Sequence, residues 1–186
     1  MKTTHLLLMS FCISLASPVR ARTVISEFDA AMLGLVQQYE KIHGLLAADS
    51  KSGFAKHTAR LEALAKNLLK SSAKLTKRQR TISHQLKFST ARLRRAKGLA
   101  LRREAFKVVS RPLVRWAIGF KPKAYQAVYC SMAKGSWLQS TGKVRNPYYG
   151  RKMLNCGKVL RSESALQKTI LDETRPQAPC AAPRMR

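Results

Sequence analysis

The sequence predicts a mainly α protein, an up-and-down four-helix bundle with a small irregular C-terminal lobe that carries cysteine and methionine. Three observations lead to this. Between Val24 and Gly119 apolar residues recur at steps of three and four, the period of a helix with one buried face. Short clusters of turn residues cut that stretch into four runs, and short links make successive helices neighbours. From Tyr125 to Leu160 the helical period stops, and sulfur, aromatic rings and turn residues replace it.

The first run, Val24 to Ala48, places Ile25, Phe28, Met32, Leu35, Val36, Tyr39, Ile42 and Leu46 on one face. The segment Asp49-Ser50-Lys51-Ser52-Gly53 breaks it. A second run then carries Phe54, Leu61, Leu64, Ala65, Leu68 and Leu69. A third begins near Leu75 with Ile82, Leu86, Leu93 and Ala96, and Gly98 ends it. The fourth holds Leu101, Ala105, Phe106, Val109, Leu113, Trp116 and Ala117 up to Gly119. Pro112 lies inside it and predicts a kink or a junction, because proline lacks the amide donor and crowds the preceding turn.

In the sulfur-bearing stretch, Cys130 and Met132 are two apart, which sets both side chains on one face of an extended segment. Met153 and Cys156 are three apart, which sets them side by side on a helix. Asn146 and Pro147 supply that helix with an N-cap and a first residue, and Gly157 supplies a left-handed C-terminal position. Four sulfurs then converge as a soft ligand set suited to Cu(I) or Ag(I), with Trp137 lying over the metal as an aromatic lid. The alternative is a disulfide between Cys130 and Cys156, which stabilises a domain by about 3.5 kcal/mol for a loop of this length. Met132, Met153 and Trp137 are then core residues. Residue types and spacing leave both open.

The ordered set Tyr129-Cys130-Ser131-Met132-Ala133, Trp137-Leu138-Gln139, Asn146-Pro147-Tyr148-Tyr149-Gly150, Met153-Leu154 and Cys156-Gly157 resembles a family of bacterial periplasmic domains of unassigned function. Members occur alone or fused to the adaptor (membrane fusion) subunits of copper and silver efflux systems. The resemblance runs from about Ile25 to Leu160, and Glu104-Ala105-Phe106 through Ser110 looks like that family's last helix before the cysteines. It implies a periplasmic location, an association with heavy-metal resistance, and an efflux adaptor or pump as partner. This chain has Ser131 where the family usually has proline, and a short loop between Ala133 and Trp137.

Residues 1–21 read as a secretory signal: Lys2, an apolar run from Leu6 to Leu15, then Val19-Arg20-Ala21 with small residues at the cleavage site. The run is too short to span a bilayer. Cleavage after Ala21 removes Cys12. It leaves one domain over residues 22–162, including the stretch 125–160, and a C-terminal tail, 163–186, expected to be partly disordered. The tail's Pro176-Gln177-Ala178-Pro179-Cys180-Ala181-Ala182-Pro183 has no periodicity.

Charge is extreme. The chain carries a formal +27, and removal of Lys2 and Arg20 with the signal leaves +25. Between Ala63 and Ser162, 25 lysines and arginines face a single acid, Glu104. Such a domain is drawn to polyanions, which for an exported protein means an anionic envelope surface. Clustered aromatics for base stacking are missing, so no specific nucleic acid is expected. No catalytic arrangement is visible either: His43, His57 and His84 lack metal-ligand spacing, and there is no phosphate-binding glycine loop. The chain is therefore read as a non-enzyme. Its expected function is soft-metal handling, and the alternative is a disulfide-stapled basic module binding an anionic surface or a protein without metal.

Overall fold

A computed structural model of the chain describes residues 25–70, 75–161, 164 and 168. The expected signal and nearly all of the expected tail, Cys180 included, lie outside them. Four helices are followed by a small antiparallel sheet: α1 Glu27–Ala47, α2 Phe54–Asn67, α3 Lys77–Arg95, α4 Leu99–Phe120, β1 Tyr125–Cys130, β2 Gly135–Ser140 and β3 Lys158–Val159. A single 3-10 turn, Gly150–Met153, separates the last two strands. No helix among the described residues is long and apolar enough to cross a membrane.

Local chemistry sets the helix ends. The Ser26 hydroxyl accepts from the Asp29 amide at the start of α1. Thr76 and Gln79 form a reciprocal capping box on α3, in which each side chain satisfies the other's backbone amide. Gly53 adopts a left-handed conformation, φ 72°, to turn the chain from α1 into α2. α4 runs unbroken through the buried Pro112, so the expected junction there does not occur. A helix absorbs one missing amide bond when its apolar face is deeply packed.

Each helix packs against the next, and α1 also meets α4 and β2. The core contains Met32, Leu35, Val36, Tyr39, Ile42 and Leu46 of α1, Leu61 and Ala65 of α2, Leu86 and Leu93 of α3, and Phe106, Val109 and Leu113 of α4. Tyr39 stacks on Phe106 with ring centroids 4.5 Å apart. The Tyr39 hydroxyl is 2.7 Å from that of Ser110, joining α1 to α4 inside the core. Three residues expected in the core are not there: Ile25 precedes α1 and is half exposed, Leu69 is half-buried after the end of α2, and Leu101 is 62% exposed on the first turn of α4.

The residues after Tyr125, read as irregular, form a sheet of order β2-β1-β3. β1 pairs with β2 from Tyr125 with Ser140 to Cys130 with Gly135, and Val128 and Tyr129 pair with Val159 and Lys158. β2 lies against α4 and α1 and is buried along its length except at Ser140.

One carboxylate ties α2 to α3. The buried Glu62 pairs with Lys66 at 2.8 Å and with Arg94 of α3. Its hydrogen bond from Lys66 outweighs burial and, with Arg94, holds the carboxyl below the usual carboxylate range. A depressed folded value stabilises the fold fully above the unfolded value of about 4.3, and that stabilisation is lost as pH falls through the lower folded value. Glu62→Gln should flatten this acid limb of the stability profile, measured by denaturant unfolding across pH. An unchanged limb would remove Glu62 as its source.

Candidate thiol site

Cys130 ends β1 and Cys156 precedes β3, and the sheet register brings them together. Continuing the antiparallel count from Tyr129 and Lys158 sets Cys130 opposite Gly157. The two sulfurs are 3.3 Å apart, and both residues are free thiols. Cys130 is buried and Cys156 is partly open. The Ala133 amide donates to Cys130 Sγ at 3.4 Å. The hydrogen bond with Cys130, then burial, pushes the Cys156 thiol up.

Asn146 organises the surrounding loop. Its fully buried side chain accepts from the Tyr148 and Tyr149 amides at 2.8 and 3.2 Å. It caps the turn from Asn146 to Gly150 and not the expected helix, whose one 3-10 turn starts after Tyr149. Its amide nitrogen also donates to the Cys156 carbonyl at 2.6 Å, and its backbone N–H donates to the Leu154 carbonyl. The residue that caps the turn therefore also holds the second cysteine.

The helices anchor this loop from below. Arg103 of α4 donates to the Pro147 carbonyl at 3.0 Å and pairs with Asp49 at the end of α1. Asp49 in turn accepts from the Arg151 amide at 3.1 Å. Gly150 sits over that ion pair with φ 57°, and a Cβ there would overlap the Asp49 carboxylate and the Arg103 guanidinium. His43 Nε2 donates to the Arg145 carbonyl at 2.7 Å, and burial pushes its pKa down, keeping the ring neutral. The Tyr148 ring meets Trp137 edge-on at 5.5 Å, and its hydroxyl donates to the Ser136 carbonyl.

The predicted sulfur geometry is corrected in three places. β1 stops at Cys130, and the Lys134 amide donates back to the Ser131 carbonyl, so Met132 lies in a tight turn and not on Cys130's strand face. Met132 is 61% exposed, with its carbonyl 3.3 Å from the Tyr149 hydroxyl. The expected helix is one 3-10 turn ending at Met153. Cys156 lies beyond it, with its amide bonded to the Met153 carbonyl at 3.1 Å. Gly157 is absent from the left-handed positions. It is glycine because a Cβ would lie 2.7 Å from Trp137 and from Val128.

Trp137 is fully buried beneath Gly157, with its indole N–H donating to Gln139 at 3.0 Å. Met132 and Met153 stand in the turns that follow Cys130 and precede Cys156. Among the described residues no group of three or more His, Cys, Asp and Glu is arranged to hold a metal ion. Sequence reasoning passed over Asp49 and Arg103. Their signal, an acid in the α1–α2 link and an arginine one turn before Phe106, is too common to single out.

No protein-family model, characterised protein or solved structure matches the chain. The resemblance to the periplasmic family rests on the ordered short motifs alone.

Proposed function

We propose that this chain is an exported, periplasmic protein that binds and passes on a soft monovalent metal, Cu(I) or Ag(I), in association with an efflux adaptor or pump. On this reading an up-and-down four-helix bundle carries a Cys/Met lobe. Cys130 and Cys156 are the ligands, Met132 and Met153 are supplementary thioethers, and Trp137 covers the apolar side. The observation that carries it is the sulfur pair: two thiols from separate elements, 3.3 Å apart, one accepting an amide N–H and the other fixed through Asn146. Two thiolates suit a soft ion of low coordination number, and supply none of the oxygen ligands that hard cations need. The exposure of Met132 gives an incoming ion or a donor protein a place to engage first.

The same distance favours one other reading. An approach of about 1.3 Å converts the pair into a disulfide of ordinary length, and an oxidising compartment supports it. In that case the basic module is stapled and takes no metal.

A competition titration of the reduced protein with Cu(I) and a chelator separates these. Wild type should bind, and Cys130→Ser or Cys156→Ser should weaken binding by at least about a thousandfold, as for the loss of one of two main ligands. Met132→Leu with Met153→Leu should weaken it by about tenfold while nearly conserving side-chain volume. Because both thiols must lose protons, affinity below the thiol range should rise by up to about a hundredfold per pH unit. Full disulfide formation in the exported wild type, with Cu(I) affinity unchanged in the double methionine variant, overturns the metal reading.

A further inference from the structure

We propose that the outward face of α3 docks this protein onto an anionic, phosphate-bearing lipid surface. This site is separate from the thiol pair and does not depend on what the thiols bind. α3 holds seven lysines and arginines and no acid, in the sequence KRQRTISHQLKFSTARLRR. Its inner face, Ile82, Ser83, Leu86, Ser89, Thr90 and Leu93, is buried against α2 and α4. With 100° per residue, the direction opposite those residues is marked by Lys77, His84, Phe88 and Arg95, with Lys87 and Arg92 to either side. All six are exposed. A shallow depression lined by Lys77, Arg80, Thr81, His84 and Gln85 runs along the same face.

Two features select lipid over other polyanions. Phe88 stands in the middle of this stripe at 68% exposure, with the Lys87 ammonium 5.8 Å from its ring centroid. A cation beside an outward aromatic suits a boundary where phosphate meets an apolar phase, since the ring enters the phase and the ammonium stays at the headgroups. Nucleic acid offers that ring only stacking, and a single aromatic on a convex helix is a poor stacking platform. The acids are also turned elsewhere. Of those among the described residues, Glu27, Asp29, Glu40 and Asp49 belong to α1 or its end, Glu62 is engaged by Lys66 and Arg94, and Glu104 by Lys107. Among the described residues the charge facing outward from α3 is therefore positive along about 28 Å of helix, given a rise of 1.5 Å per residue.

The test is flotation of the full chain with vesicles of two parts phosphatidylcholine to one part phosphatidylglycerol, compared with phosphatidylcholine alone. Binding to the anionic vesicles should fall steeply with salt. Neutralising Lys77, Lys87, Arg92 and Arg95 to Gln should reduce it by at least about tenfold, since each juxtamembrane cation adds measurably to the attraction. The same net change made at Lys41, Lys51, Lys56 and Arg60, exposed on α1, α2 and the link between them, should reduce it by less than about twofold, as expected of charges held away from the surface by more than a screening length. Phe88→Trp should gain blue-shifted, enhanced emission with anionic vesicles, above a background from Trp116 and Trp137, which are already buried. Equal losses in the two neutralised variants would reduce the effect to net charge and overturn the proposal. So would a Phe88→Trp signal unmoved by vesicles, or displacement from vesicles by duplex DNA at equal phosphate concentration. Cu(I) affinity should be the same in all these variants, so failure here leaves the thiol reading standing.

Discussion

Replacing Phe106 by Ala should destabilise the protein by about 3 to 5 kcal/mol, as expected for emptying a fully buried aromatic site. The ring stacks on Tyr39, lies 6.5 Å from His43 and meets Tyr148 at 6.4 Å. It therefore touches α1, its own helix and the loop that holds Cys156, and no single neighbour can move to fill the space. A small domain has about 5 to 15 kcal/mol in total, so much of the stability should go. Denaturant unfolding measures this. Phe88→Ala, removing a ring of the same size from an exposed position, should change stability by less than about 0.5 kcal/mol. Because Tyr148 loses its support, the Phe106→Ala protein should also form the Cys130–Cys156 disulfide more slowly on mild oxidation. A loss below about 1 kcal/mol would mean that the four-helix core is not closed at this ring.

The same ring shows what could be read from residues alone. Phe106 lies in a run whose apolar residues recur at three and four, and that period identifies most buried apolar positions of the four helices, though not Ala47, Val114 or Ile118, and none of the buried polar ones such as His43, Thr58, Glu62 and Ser110. Leu101 breaks the pattern because α4 begins at Leu99, and its first turn has no partner on that side. The sheet was not legible for a different reason. β2 is buried on both faces, so Gly135-Ser136-Trp137-Leu138-Gln139-Ser140 shows no alternation of polar and apolar residues. β3 is two residues long, and the β1–β2 turn uses Lys134 at φ 45° where Asn or Gly would have marked it. Without the sheet, the spacing of Cys130 and Met132 looked like a strand face, and Gly157 looked like a helix end. The proximity of Cys130 to Cys156 survives both corrections: the pairing of β1 with β3 sets Gly157 opposite Cys130, and Cys156 is the residue just before it.

One side chain ties the loop to Cys156, and Asn146→Ala should show how strongly. Removing the amide leaves the Tyr148 and Tyr149 N–H groups and the Cys156 carbonyl without their partner. Tyr148 is buried, and an unmet buried polar group costs about 1 to 3 kcal/mol, so the variant should lose roughly 3 kcal/mol in all. Stability alone would not separate a cap from a positioning residue. Asn146→Asp does so, because its carboxylate still accepts from both tyrosine amides. It cannot donate to the Cys156 carbonyl, and instead sets one oxygen against another where a 2.6 Å hydrogen bond now stands. If Asn146 positions the thiol, the Asp variant should weaken Cu(I) binding and slow disulfide formation by at least about tenfold, equivalent to 1.4 kcal/mol of lost alignment. A carboxylate protonated at low pH regains a donor, so both defects should ease as pH falls through its titration. Should the Asp variant match wild type in metal affinity and thiol oxidation while the Ala variant is merely less stable, Asn146 is a cap for the turn, and the approach of Cys156 to Cys130 is set by strand pairing alone.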